Sequence, residues 1–581
     1  MKTNKTIFAT LFAMGMLCFS QLSASPARRQ VFTITQPNGS KIQALQLGDE
    51  HMSFVTDAET GQCLIEDIES GFWRPMNETE LSTASRQWTE SRRHAQAITV
   101  RRNLGGTPRK DRVTIPLILV QYSNLKLTEK YGTKEFYEKL LNETSTDRLA
   151  FNDSKGNAYY AGSARKYFNA QSMGSFDPVF DILDPITLDN GYEYYGKDAD
   201  SGTKDINKGK LIEEAINKAI ARGDLNNAAK YDSNKDGKVD LVYFVFAGCG
   251  QNQGANKNTI WPHNSTYSIK TPDGTYVSVY CMTNELAGSD PNTPMTDGIG
   301  VFVHEMSHAL GLPDFYATNS STAAQCFGMD AWSLMDQGEF NGKNQIPANY
   351  TLSERMAFEW CEEPEIAPSV GTVILEPLVK SGKGLILRNP RNSDEYLTFE
   401  NHQPDANLWE RCWGTSSYFS DYASYQSRQH RGLLITHIDY NISDWNSNSV
   451  NNTPTHQRCT PLAADGECVL YTNFTTREEY MHYLNSLSSD IYPGYSKITT
   501  LNNKNPLAVW YTGEEIDINI TNIEQLTNGN IKITFGNPEP DPSGIDELES
   551  DAMKKKSSKV ELRDGRFVIN GYDLNGRKIQ K

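Results

Sequence analysis

Apolar positions along the chain change their spacing several times, and each change predicts an element. Val31-Phe32-Thr33-Ile34-Thr35 alternates with a period of two and precedes Asn38-Gly39, so a strand and a hairpin-like turn are expected there. Val113–Val120 and Leu241–Phe246 are nearly unbroken apolar runs, as in strands buried on both faces. Lys210–Ala221 carries apolar residues at helical spacing. Asp297 is placed as an N-cap before a helix whose apolar residues continue to Gly311. From about Gly371 the runs are short and β-like: Thr372–Leu375, Gly384–Leu387, Tyr396–Phe399 and Gly432–Ile435. Mixed elements followed by a β-rich stretch predict an α+β chain.

The same reading divides the chain. Lys2 and Lys5, the apolar run Ile7–Leu17 and the small residues Ser23, Ala24 and Ser25 predict a signal peptide over 1–24. That apolar run falls short of the about 20 residues that span a bilayer. Leu17 before Cys18 argues against a lipoprotein signal. No other stretch is apolar and long enough for a membrane span, so with the leader a secreted or cell-surface protein is expected. Residues 25–110 read as a pro-segment, because a small strand-rich module ends in a basic hinge (Arg92, Arg93, Arg101, Arg102, Arg109, Lys110) just before a buried strand. The catalytic domain is placed at 111–365 and the β-rich region at 366–536. Pro- and Gly-containing residues open a linker and tail over 537–581.

Composition adds exclusions. The chain has 581 residues, 38% of them hydrophobic, and a formal net charge of -16, which argues against nucleic acid as the natural partner. Export to an oxidising compartment predicts that some cysteines pair, and Cys459 with Cys468 would close a small loop. No C-x-x-C spacing occurs, so a cysteine-based zinc or redox site is not expected.

The chemistry concentrates in Asp297–Asp314. On a helix His304 and His308 stand one turn apart on one face, where two imidazoles can hold one zinc ion. Glu305 lies beside them and can take a proton from water. Gly311 lets the chain leave the helix and turn back, which would bring Asp314 to the metal as a third ligand. H-E-x-x-H recurs by chance; Gly at the seventh place and Asp at the tenth narrow it. Glu339 and Glu354 are rivals for the third ligand. Met335, in Trp332-Ser333-Leu334-Met335-Asp336, stands where a metzincin places its methionine turn, and Gln337 occupies the position where some metzincins carry a tyrosine. His263 and His437 are read as structural, and Cys63 as a remote candidate for a thiolate block on the metal.

A second cluster, Asp232, Asn234, Asp236, Lys238 and Asp240 with Gly237 between, has the alternating oxygen donors and sixth-place glycine of a calcium loop. Tyr243 stands where a regulatory EF-hand needs glutamate, so a structural calcium ion is the expectation.

With these residues in view, the chain resembles the immune inhibitor A family of secreted bacterial metalloproteases. The likeness rests on Gly48-Asp49-Glu50, Gly162-Ser163 through Tyr167-Phe168, the Asp232–Asp240 loop, Trp261-Pro262-His263, His304–Tyr316 and Gly432–Asp439, and runs to about Phe535. It implies a metzincin-like zinc endopeptidase acting on proteins or peptides, with His304, His308 and Asp314 as ligands, Glu305 as base and a removable inhibitory pro-segment. Tyr572–Lys578 is similar to tails that direct Bacteroidetes proteins through type IX secretion, which implies a secretion machinery as partner. The contrasting expectation is a secreted binding protein or adhesin on a degenerate protease scaffold.

Overall fold

The computed structural model describes residues 25–83, 112–537 and 560–573, apart from short stretches of which 411–430 is the longest. The leader, the basic hinge, Cys412 and the tail beyond Asp573 lie outside the described residues.

The alternating N-terminal segment forms a five-stranded antiparallel meander: β1 (Val31–Thr35), β2 (Lys41–Gly48), β3 (Ser53–Asp57), β4 (Cys63–Glu66) and β5 (Trp73–Pro75). Gly39, at φ +84°, makes the turn between the first two, a backbone region closed to most side chains.

The two apolar runs form adjacent parallel strands, β6 (Arg112–Gln121) and β11 (Val242–Cys249); between them in sequence come the hairpin β7 (Leu149–Asn152) and β8 (Ala158–Ala161), then β9 (Asp177–Thr187), which pairs in parallel with β6, and β10 (Lys238–Val239). With β12 (His263–Lys270) and β13 (Tyr276–Leu286) they complete a six-stranded sheet ordered β10-β13-β11-β6-β9, and β12 lies antiparallel to β13. Continuous hydrophobicity is explained by two covered faces. Leu117, Leu119, Tyr243 and Val245 pack with the helix Gly300–Leu310. Their alternates Ile118, Val120, Phe244 and Phe246 pack with Leu211, Ile212, Ala215 and Ile216 of the helix Lys208–Arg222.

Three helices matter for the site: α1 (Ala164–Gln171), α2 (Gly300–Leu310) and α3 (Leu352–Phe358). Every residue of α2 is buried. Its N-terminus differs from the expectation: Ile299 is the N-cap, with no side-chain cap bond. Asp297 instead accepts from Gln253 and Asn344, each at 2.6 Å, so a buried amide pair outcompetes helix capping for its carboxylate. Gly300 fits because a Cβ there would meet the Glu339 carbonyl oxygen at 1.9 Å.

The β-rich region packs onto the same unit, which extends to Phe535. Its main sheet runs β14 (Glu365–Ile366), β16 (Leu385–Asn389), β17 (Asn392–His402), β18 (Gly432–Asp439) and β19 (Cys459–Pro461), with β20 (Tyr492–Pro493) beside β18. A smaller sheet joins β15 (Gly371–Leu375), β22 (Ile531–Phe535) and β21 (Ile520–Gln525). Leu434 and Ile438 enter the core that also covers α2, so this region borders the site. A helix, Arg477–Ser489, interrupts the β pattern. The second unit, from Gly536, holds three short antiparallel strands within 560–573.

Two cysteine expectations change. Cys63, Cys249, Cys281, Cys326, Cys361, Cys459 and Cys468 are all unpaired thiols. Cys459 is buried in strand β19, and the Cys468 sulfur faces the Pro461 carbonyl at 3.6 Å rather than Cys459. Among the described residues no helix is long and apolar enough to cross a membrane.

Candidate metal centre

Helix α2 sets His304 and His308 on one face, and their Nε2 atoms come to 3.0 Å of each other. Gly311, at φ +116°, ends the helix and donates to the Ser307 and His308 carbonyls. The chain then returns, and Asp314 Oδ1 lies 3.1 Å from His308 Nε2 and 3.4 Å from His304 Nε2. These three donors lie within 4.8 Å of one another and form the one such group of three His, Cys, Asp or Glu among the described residues.

The donor chemistry fits a divalent cation. His304 Nδ1 bonds the Leu334 carbonyl and His308 Nδ1 the Leu312 carbonyl, both at 2.8 Å. As carbonyls only accept, both Nδ1 atoms carry the proton, which turns the Nε2 lone pairs toward Asp314. Two imidazole lone pairs and a carboxylate oxygen facing inward repel unless a cation or a shared proton joins them. Bonds of about 2.0–2.2 Å to a tetrahedral zinc would set ligands roughly 3.4 Å apart, close to the separations seen.

The electrostatics agree. Burial lowers the pKa of His304. Burial also opposes charge on His308, but the Asp314 carboxylate outweighs it and pushes the imidazole up to about 9. For Asp314, burial is outweighed by the charge of His308, which holds the carboxyl well below its usual range. Asp314 therefore keeps its negative charge deep in the protein with a proton on His308 as its counter-charge, a role a metal ion would take over.

Asn448 was not legible in the sequence. Its Oδ1 accepts from the Asp314 backbone N–H at 2.6 Å and its Nδ2 donates to Asp314 Oδ2 at 2.5 Å. That clamp occupies one carboxylate oxygen and leaves Oδ1 toward the histidines. Asn448 is itself at φ +51°, a conformation Asn tolerates better than most residues, which was its one local signal. The turn around Met335 supports the other side. Leu334 O receives His304, the Phe315 N–H donates to Met335 O at 2.7 Å, and Met335 is fully buried beneath.

Glu305 is fully buried and does not reach into the ligand cluster. Its Oε1 accepts two bonds from Ser25: from the backbone N–H at 2.7 Å and from Oγ at 2.9 Å. Ser25 Oγ also stands 3.1 Å from Glu339 Oε2. Burial, and then the charge of Glu305, raise Glu339 well above the usual carboxyl range. Glu339 Oε2 lies 3.8 Å from His304 Nδ1, on the side already bonded to Leu334, so it does not join the facing donors. Glu354 is farther removed in function: it caps α3 and accepts from Ser333 Oγ at 2.6 Å.

The remaining sequence candidates fall elsewhere. His263 bonds the Trp261 carbonyl and Tyr280 hydroxyl, and His437 bonds Glu395 at 2.9 Å, both satisfied inside the fold. Cys63 begins strand β4, where burial raises its thiol pKa, and it is not among the metal-site donors. In the Asp232–Asp240 loop, Asp232 accepts from the Asp236 and Gly237 N–H groups at 3.1 and 2.9 Å, and Asp236 from Lys238 N–H at 2.9 Å. Gly237 makes the sharp turn at φ +84°, and the Lys238 side chain is exposed.

The chain is 29% identical over 288 residues to immune inhibitor A of Bacillus thuringiensis subsp. alesti, covering 44% of this chain and 40% of that protein. It is 27% identical over 267 residues to the pre-pro-metalloprotease PrtV of Vibrio cholerae serotype O1 (strain M66-2), covering 41% of this chain and 28% of that protein. The matches thus span well under two thirds of either relative. Residues 100–361 match the immune inhibitor A peptidase M6 catalytic domain, the segment that contains His304, Glu305, His308 and Asp314. By that match and these relatives, residues 100–361 are similar to the metallopeptidase catalytic domain of immune inhibitor A.

Proposed function

We propose that the chain is the precursor of a secreted zinc-dependent endopeptidase, with Glu305 as its general base. The observation that carries this reading is the buried convergence of Asp314 with His304 and His308, which stand on the helix that also bears Glu305. His304, His308 and Asp314 would hold the ion, and zinc there would supply Lewis-acid polarisation of the scissile carbonyl. Glu305 takes a proton from the attacking water and returns it to the departing amine. Asn448 and the Leu334 and Leu312 carbonyls fix the three ligands before substrate arrives, so little reorganisation accompanies reaction. Secretion rests on the leader-like composition of residues 1–24, and the zymogen reading on the hold of Ser25 upon the base. Calcium at Asp232–Asp240 rests on donor spacing and the turn at Gly237, which is the form of a calcium loop.

The test is casein hydrolysis by the processed protein beside Glu305→Gln and a chelator-treated sample. Glu305→Gln should retain its zinc and lose at least about a hundredfold in kcat/KM. Full activity in a folded, zinc-loaded Glu305→Gln protein removes Glu305 from the role. Stable attachment to a surface protein without cleavage by the unmodified enzyme would favour the adhesin reading instead.

A further inference from the structure

Residues 25–29 pass through the site in an orderly way. The Ser25 N–H donates to Glu305 Oε1 at 2.7 Å, and the Ser25 carbonyl accepts from the Trp261 indole at 2.8 Å. Ala27 packs on Trp261 and donates its N–H to Gly48 of strand β2. The Arg28 N–H donates to the Asn252 carbonyl, its guanidinium to Gln253 Oε1 at 3.0 Å, and the group lies 5.8 Å from the Phe340 ring centre. Arg29 reaches Asp330 at 2.8 Å. Asp330 is 1% exposed and is held on its other oxygen by the Tyr483 hydroxyl at 2.6 Å.

A nitrogen donating to the base carboxylate is where the amine of a cleaved peptide stands after receiving its proton. Ser25 thus matches the first residue after a cut, and Arg28 and Arg29 the fourth and fifth. We infer that residues 25–29 occupy the leaving-amine half of the peptide cleft, and that Gln253 and Asp330 select basic side chains at the fourth and fifth positions after the cut. This rests on the peptidase reading above. The energetic basis is the burial of Asp330. A peptide that covers it without bringing a cation strips water from a carboxylate and leaves it unpaired, whereas Arg or Lys there forms a charged hydrogen bond. Gln253 is fixed toward the fourth position because its Nε2 donates to Asp297 at 2.6 Å, and its Oε1 accepts from the Arg28 guanidinium beside the Gly288 N–H at 2.9 Å and Asn344 Nδ2 at 3.1 Å. Fields from the buried carboxylates Asp297 and Asp330 bias the whole stretch toward positive side chains.

The test uses the processed protein with a peptide library produced by cleavage after acidic residues, followed by sequencing of the new amino termini. Arg and Lys should exceed their library frequency at the fourth and fifth positions, by about tenfold at the fifth, the scale of one charged hydrogen bond. Asp330→Asn, which keeps the shape and tolerates the backbone at φ +45°, should erase the preference at the fifth position and spare the fourth. If Asp330→Asn does not fold, Gln253→Leu serves as the second variant and should weaken the fourth position alone. New termini with library frequencies at both positions overturn the inference and leave the peptidase reading standing. An absence of new termini from a zinc-loaded sample removes the peptidase reading, and this inference with it.

Discussion

Two stretches of this chain carry metal-type donor spacing, and the fold treats them in opposite ways. In the Asp232–Asp240 loop the donors are local and largely exposed, and their carboxylates accept from backbone N–H groups two to five residues away. In the His304 centre the donors are buried, and each is oriented by a group distant in sequence or past a turn: Leu334 for His304, Leu312 for His308, Asn448 for Asp314. A local loop can close its turns by itself. A buried set of lone pairs facing one another needs the surrounding fold to hold it and a positive charge to join it.

That contrast can be broken most directly at Asp314. Asp314→Ala should lower zinc affinity by more than the roughly 10–100-fold that loss of a supporting group costs. Zinc content after dialysis against a weak chelator measures it, and unchanged content would return Glu339 to consideration as ligand. Next comes Asn448→Ala, which keeps all three donors and frees Asp314 to rotate. A fall of about 10–100-fold in zinc affinity is expected, with the fold intact by circular dichroism. Affinity equal to that of the parent would mean the clamp is incidental.

Smaller effects sharpen the comparison through stability. Gly300→Ala pushes a methyl against the Glu339 carbonyl oxygen, so the helix must shift at a cost of about 1–3 kcal/mol, read as a lower Tm. Asp236→Ala removes an exposed turn acceptor worth about 1 kcal/mol. It should also abolish any rise in Tm on adding calcium while leaving bound zinc unchanged. Loss of zinc in Asp236→Ala would show that the two sites are coupled.

Reading the chain alone went furthest where chemistry is local. The strands Val31–Thr35 and Gly432–Asp439, the helix Lys208–Arg222 and the escape at Gly311 each follow from periodicity or from one glycine. It failed where distant groups compete for one side chain. Asp297 has the form of a helix cap, yet Gln253 and Asn344 claim its carboxylate. Cys459 and Cys468 have the spacing of a loop bridge, yet β19 buries Cys459 against the main core while Cys468 faces Pro461 and the helix Arg477–Ser489.

The sequence by itself determined that two imidazoles and a carboxylate share a helix, that a glycine ends it, and that an aspartate follows within reach. These are consequences of helical pitch and of one residue able to adopt positive φ. Tertiary structure alone decided which oxygen of Asp314 faces the histidines, that Asn448 holds it there, and that Ser25 rests on Glu305. Those contacts join residues 134 and 280 positions apart. No periodicity encodes such pairs, because they are fixed by packing of separate elements around one buried centre.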